Sequence, residues 1–242
     1  MSTTLDLPQI EYPESDGQPM AETELHANLM CDLYFAIDRH FLNDPQSYAS
    51  RNMFLYYVEG QPKKRVAPDI FFVRGVQKRI RRTYKLWEEG VAPQVVFEIS
   101  SRSTMREDQH TKPKIYGQIG VQEYYLFDPT QEYLEDGPFV AFHWRDGTFV
   151  EQDVSSNRLY SPALDLELIV QDGVLRLADP HTSLLLMTPA EEADGRKRAE
   201  AERRQEKAAR RQAEAKLDQA ESELIRLRQE LDALKRARQT PD

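Results

Sequence analysis

Two acidic residues in costly places, and a lysine where a helix should begin, are the groups of this chain best suited to chemistry. Asp69 interrupts the β-prone run Val66-Ala-Pro-Asp-Ile-Phe-Phe-Val73, and Glu98 interrupts Pro93-Gln-Val-Val-Phe-Glu-Ile-Ser100. A carboxylate among apolar neighbours loses its hydration, and it is tolerated when it is paired or holds a cation. Asp108-Gln-His-Thr-Lys112 follows, then Tyr116, Gly120 and Val121. Hydrolysis of a phosphodiester needs an activated water, neutralised phosphate charge and a stabilised leaving oxygen. Mg²⁺ held by one or two carboxylates, with several waters retained, supplies the first two. An amine such as that of Lys112 can orient or deprotonate the water, or offset charge in the transition state.

That chemistry requires Asp69 and Glu98 on neighbouring strands, facing the same way. The carbonyl of Ile99 would be a further oxygen ligand, and Glu24 would reach in from the first helix. Each residue has a blander reading. Asp69 follows Pro68 and suits a strand that starts at a turn. Glu98 suits an ion pair with Lys112 and no metal. His26 suits a surface or internally satisfied histidine. Spacing alone does not choose between the two sets.

The elements that would hold these residues read in order along the chain. Residues 1–19, with Pro8, Pro13, Gly17 and Pro19, predict a flexible lead-in. From Met20 to Phe41, Leu25, Leu29, Leu33, Ile37 and Phe41 recur every four residues and predict a helix. Arg51–Val58 predicts a strand antiparallel to Pro68–Val73. Pro93–Ser100 predicts a buried strand, Lys112–Ile119 a helix closed by Gly120, and Gln122–Phe127 the next strand. Two hairpins follow, around Asp146-Gly147 and Asp172-Gly173. The alternation predicts an α/β domain with a mixed central sheet over residues 20–189. Beyond it, 196–238 holds neither Gly nor Pro and is rich in good helix formers. Leu217, Leu224 and Leu231 stand seven apart, with Ala220, Leu227 and Leu234 three later. Residues 190–242 therefore predict a charged helical tail with a short coiled coil over about 213–238, and self-association through it.

Charge and composition bound the partners. The 242 residues carry a formal net charge of −9. From Glu191 to Asp242 there are 14 Lys+Arg and 13 Asp+Glu, which leaves Met1–Ala190 with 18 basic against 28 acidic residues. An acidic domain is a poor match to nucleic acid unless its basic residues cluster. Lys63-Lys64-Arg65 and the run Arg74, Lys78, Arg79, Arg81, Arg82 and Lys85 are such clusters, expected beside the site or in a solvated loop. Cys31 is alone, which excludes a disulfide framework and a cysteine-based zinc site. There is no membrane-length apolar run and no signal-peptide pattern, so a cytoplasmic location is expected.

Taken as an ordered series, these pieces resemble the PD-(D/E)XK nuclease superfamily and, within it, the bacterial Uma-type restriction-endonuclease family. The matching pieces are Pro68-Asp69, Val95-Val-Phe-Glu98-Ile-Ser-Ser101 with Ser103-Thr104, Asp108 with Lys112, and Tyr116 with Gly120-Val-Gln-Glu-Tyr-Tyr-Leu-Phe-Asp-Pro129. The resemblance covers about Met20 to Asp179. It implies a restriction-endonuclease-like fold, Asp69 and Glu98 as Mg²⁺ ligands (Mn²⁺ as a substitute), and Lys112 as the active-site lysine. Glu24 would be the acidic residue of the first helix, and double-stranded DNA the substrate. One departure stands out: two residues after Glu98 is Ser100 rather than lysine. The lysine must then come from the following helix, as Lys112 or its competitor Lys114. The alternative is a nuclease-fold module that binds nucleic acid or protein without cutting, assembled through its C-terminal helix.

Overall fold

The computed structural model describes residues 10–15, 17, 23–135 and 137–237. The chain divides into two units, Met1–Pro189 and Ala190–Asp242. Met20 and Glu22, expected at the start of the first helix, lie outside the described residues, as does most of the lead-in. Ile10–Ser15 belongs to the segment expected to be flexible, yet it packs on the domain. The Tyr12 ring stands 5.1 Å from both Tyr56 and Trp87, and the Gly60 N–H donates to its hydroxyl at 2.6 Å.

Helix α1 (Glu24–His40) starts where the Thr23 hydroxyl accepts from the His26 N–H at 3.2 Å, satisfying one of the amides a helix start leaves unpaired. It buries Ala36 and, at about 1.5–3 kcal/mol of transfer free energy each, Leu29, Met30, Leu33 and Ile37. Strands β1 (Ser47–Arg51), β2 (Leu55–Tyr56), β3 (Arg65–Val66), β4 (Ile70–Arg74) and β5 (Tyr84–Lys85) follow, then the short helix α2 (Leu86–Glu89) and β6 (Val95–Ile99). A π-helical turn, Glu107–Thr111, leads into α3 (Lys112–Ile119). Gly120, in the left-handed region, closes α3. Strands β7 (Glu123–Phe127), β8 (Phe139–Arg145), β9 (Thr148–Glu151), β10 (Arg158–Ser161), β11 (Leu166–Gln171) and β12 (Val174–Ala178) complete the domain, and α4 (Pro189–Ala237) forms the tail.

The central sheet has the order β1-β4-β6-β7-β8-β9, with β6 and β7 its parallel pair and the other neighbours antiparallel. It is a mixed sheet, as expected. The pleat sends alternate residues to opposite sides. Ile70, Phe72, Val95, Phe97, Ile99, Tyr125 and Phe127 pack with α1 and the three-stranded sheet β10-β11-β12. Phe71, Val73, Val96, Tyr124 and Leu126 pack with Tyr116 and Val121 around α3, and with Leu55, Val66 and Tyr84 of the small sheet β3-β2-β5.

The expected partner of the Pro68–Val73 strand needs correcting. Ile70–Arg74 pairs with Ser47–Arg51, so only Arg51 of the expected 51–58 run takes part. Asn52 takes a positive φ of 47° and its N–H donates to the carbonyls of Pro68 and Asp69. This breaks the ladder and turns Leu55–Tyr56 away to pair with β3 and β5. Strand β10 was not expected at all. In the tail, Leu217, Leu224, Leu227 and Leu231 are each more than half exposed.

Candidate active site

The ladder between β4 and β6 pairs Ile70 with Phe97. One step further, at the ends of both strands, Asp69 stands across from Glu98. The Asp69 N–H points to Glu98 Oε2 at 3.4 Å, and the Ile99 N–H donates to Asp69 Oδ2 at 2.7 Å. His26 of α1 brings its Nε2 to 3.2 Å from Asp69 Oδ1. From the opposite face, Lys112 Nζ lies 2.8 Å from Glu98 Oε2 and 2.7 Å from Asp108 Oδ1. The Tyr116 hydroxyl donates to Glu98 Oε1. Asp108, Lys112 and Tyr116 succeed one another at four-residue steps, so the π-helical turn and α3 present all three on one side.

Glu98 and Asp108 are each 1% exposed. Burial pushes the Glu98 carboxyl up to about 8, against the pull of the Lys112 ammonium and with the help of Asp69 and Asp108. Burial raises Asp108 as well, opposed by Lys112. Burial pulls the Lys112 amine down, but Glu98 and Asp108 outweigh it and hold the amine as an ammonium. Burial and the neighbouring Glu98 keep Tyr116 a phenol, so it acts as a donor.

A cleft of about 520 Å³ opens onto these groups. His26, Asp69, Ser100 and Lys112 lie at its base, with Arg102, Ser103 and Thr130 at its exposed rim and the half-buried Tyr133 beside them. Glu98 is not among its walls: Lys112 stands in front of it. The rim loop 129–134 is shaped by Asp128, which is fully buried and whose two oxygens accept from the N–H groups of Thr130, Gln131, Tyr133 and Leu134 and from the Thr130 hydroxyl.

Residues 3–170 match the Uma2 family, described as "Putative restriction endonuclease". The chain belongs to that family. Among solved structures, a chain from Anabaena variabilis ATCC 29413, titled a putative nuclease belonging to DUF820, is similar at 16% identity and a TM-score of 0.45. The match covers 66% of the present chain and 87% of that one. No curated protein matches.

In this Uma2 chain Asp69, Glu98 and Lys112 converge, but the other expectations fare differently. Glu24 is exposed on α1, and His26 rather than Glu24 approaches Asp69. Two residues are about 200° of helix rotation, enough to reverse the face. Ile99 enters the site through its N–H, which donates to Asp69 Oδ2. Lys114 is exposed and lines a separate cavity beside Trp144 and Phe149. None of the basic clusters lines the cleft. Arg79 and Arg81 pair with Glu89, Arg82 with Glu14, Lys85 with Glu88 and Lys78 with Asp38, while Arg74 stacks over Phe41. Reasoning from sequence left Asp108, Tyr116 and Asp128 without roles, although four-residue spacing from Lys112 marks the first two.

The residues present fit a hard divalent cation. Two buried carboxylates, Glu98 and Asp108, and the half-buried Asp69 gather around a single ammonium, a surplus of carboxylates that such an ion would offset. Asp69 and Glu98 keep free lone pairs beyond the hydrogen bonds above. Among the described residues no three His, Cys, Asp or Glu side chains form a ready cage, but Mg²⁺ takes one or two carboxylates and fills its remaining positions with water.

Proposed function

We propose that this chain is a Mg²⁺-dependent endonuclease that hydrolyses DNA phosphodiester bonds, with Mn²⁺ as a substitute ion and duplex DNA as the favoured substrate. The observation that carries the reading is the approach of Lys112 Nζ to 2.8 Å from Glu98 Oε2, at the strand ends where Asp69 faces Glu98. Bound by Asp69 and Glu98, Mg²⁺ would activate water and offset phosphate charge. The protein's own groups do the rest. The Ile99 N–H and His26 fix the Asp69 carboxylate, and Tyr116 fixes Glu98. Lys112, held protonated, acts as a positive charge beside the phosphate rather than as the base that removes a proton.

The test is titration of Mg²⁺ and Mn²⁺ into the wild type and Glu98→Ala, with plasmid nicking followed in the same samples. Binding and nicking in the wild type, both lost in the variant, support the reading. Failure of the wild type to bind either ion sinks it. The second reading, a binding module that does not cut, is favoured by the double engagement of Lys112, and ion binding without nicking would support it.

The tail supports self-association with a second copy of the chain. Leu217, Leu224 and Leu231 form an exposed ridge at heptad spacing on α4; the Leu234 side chain and Arg238 lie outside the described residues. Deleting residues 190–242 should convert the protein to a monomer by light scattering while the domain stays folded. An unchanged mass would refute the assignment.

A further inference from the structure

Asp69 and Lys112 at the base of the cleft, and Glu98 and Asp108 behind them, are engaged by protein groups, but the Ser100 hydroxyl is not. Ser100 is 3% exposed, lines the cleft, and its Oγ makes no hydrogen bond. Its N–H donates to the Phe127 carbonyl at 2.7 Å, which prolongs the β6–β7 ladder by one residue. The side chain is thereby fixed on the same face as Glu98, two residues earlier. The adjoining hydroxyls are satisfied without it: Ser101 Oγ lies 3.1 Å from Ser103 Oγ and 3.0 Å from Thr104 Oγ1. A buried hydroxyl without a partner costs about 1–3 kcal/mol, and alanine would serve the fold as well or better. The hydroxyl therefore has a use outside the fold.

We infer that Ser100 Oγ donates a hydrogen bond to a phosphoryl oxygen of the bound phosphodiester, with the Arg102 guanidinium as a second phosphate contact at the rim. The inference rests on the nuclease reading. A phosphate needs donors; beside Asp69 at the base of the cleft they are Lys112 and Ser100, and the rim adds the guanidinium of Arg102. Arg102 is exposed and lines the cleft. Unlike Arg79, Arg81 and Arg82, it has no carboxylate partner among the described residues. The rim therefore retains a free cation where the basic run between Arg74 and Lys85 does not.

The experiment is fluorescence anisotropy of a short labelled DNA duplex on the full chain. Ca²⁺ replaces Mg²⁺, balancing the site's charge while departing from octahedral geometry. Ser100→Ala should bind about tenfold more weakly, the effect of losing one hydrogen bond to a charged group, with a melting temperature equal to or above wild type. Ser100→Thr keeps the hydroxyl and should retain affinity. Arg102→Ala should weaken binding and lower the salt dependence by about one charge. Wild-type affinity in Ser100→Ala, or weaker binding accompanied by a lowered melting temperature, would overturn the inference alone. A wild type that binds no duplex would overturn the nuclease reading and this inference with it.

Discussion

Asp128 should be the residue through which the shape of the cleft depends most sharply on a single substitution. Burial alone would raise its carboxyl, but the N–H groups of Tyr133, Leu134 and Thr130 and the Thr130 hydroxyl outweigh burial and hold it below the usual carboxylate range. In Asp128→Asn, the least damaging orientation puts the amide nitrogen where Oδ2 stood. There it meets the N–H groups of Tyr133 and Leu134, which now donate at 2.6 and 3.1 Å. Two charge-assisted bonds are lost and donors oppose donors. At about 1.5–3 kcal/mol per bond, the cost is about 3–6 kcal/mol, or about 10 °C in melting temperature for a domain of this size. Because the folded carboxyl is depressed, its contribution is complete above the unfolded value and is lost as pH falls through the folded one. Urea melts of both proteins from neutral pH down to pH 3 are the assay. The gap should be widest near neutrality and close in acid. The variant should also lose duplex affinity, because Thr130 and Tyr133 leave the rim. A stability difference under 1 kcal/mol, or a gap that widens in acid, refutes the reasoning.

Other perturbations follow from the same geometry. Lys112→Met leaves Glu98 and Asp108 buried without a cation and should cost about 3–5 kcal/mol above about pH 8, where Glu98 is ionised, and less below it, where Glu98 is protonated; urea melts at pH 9 and pH 6 check it, and a loss under 1 kcal/mol at pH 9 would sink the ion-pair account. Glu98 has a folded pKa of about 8, above its ordinary value, so its contribution is present below the unfolded pKa and is lost as pH rises through about 8. Metal-free wild type should thus lose melting temperature relative to Glu98→Gln between pH 5 and pH 9, and equal slopes would contradict the raised value. A Cβ at Gly117 would overlap the Trp144 ring. Gly117→Ala should therefore cost about 1–3 kcal/mol through displacement of that ring, despite alanine's better helix propensity, and a stabilised variant would refute the close packing.

Much of this arrangement was legible in the sequence, and the failures have specific causes. Helix α3 announced itself through Pro113 near its start and Gly120 at its end. Strand β6 did so through an apolar run broken only by Glu98. Helix α1 was legible in extent but misread in phase. A strict four-residue spacing drifts by about 40° per step, so Leu25 falls about 120° from Ile37, and it is 45% exposed. His26 lies within about 20° of Leu33 and Ile37 on the same wheel, which marks it as the inward residue in place of Glu24. Strand β1 (Ser47-Tyr-Ala-Ser-Arg51) was missed because its burial comes from its neighbours in the sheet and α1, not from its own hydropathy. The basic run between Arg74 and Lys85 misled because its charges are neutralised by Glu88 and Glu89 just beyond it and by Asp38 and Glu14, distant in sequence.

The remaining question is why the fold tolerates two buried carboxylates and a half-buried third around one ammonium. Burying each ion costs several kcal/mol, and apolar residues of similar volume would serve stability better. The location answers it. In open α/β sheets, ligands bind beyond the carboxyl ends of parallel strands, and the central sheet has one parallel pair, β6 and β7. These strands end at Ile99 and Phe127. The segments that leave them are Ser100–Thr104, which carries the unpaired hydroxyl, and Asp128–Leu134, whose backbone is gathered by the Asp128 carboxylate. Asp69, Glu98, Asp108 and Lys112 converge at that same end. A fold that placed its charge imbalance there for stability alone would have no need of an open cleft, an unsatisfied serine and an unpaired arginine around it. Together they fit the proposed function, in which a cation and an anionic substrate would offset the cost of the buried charges.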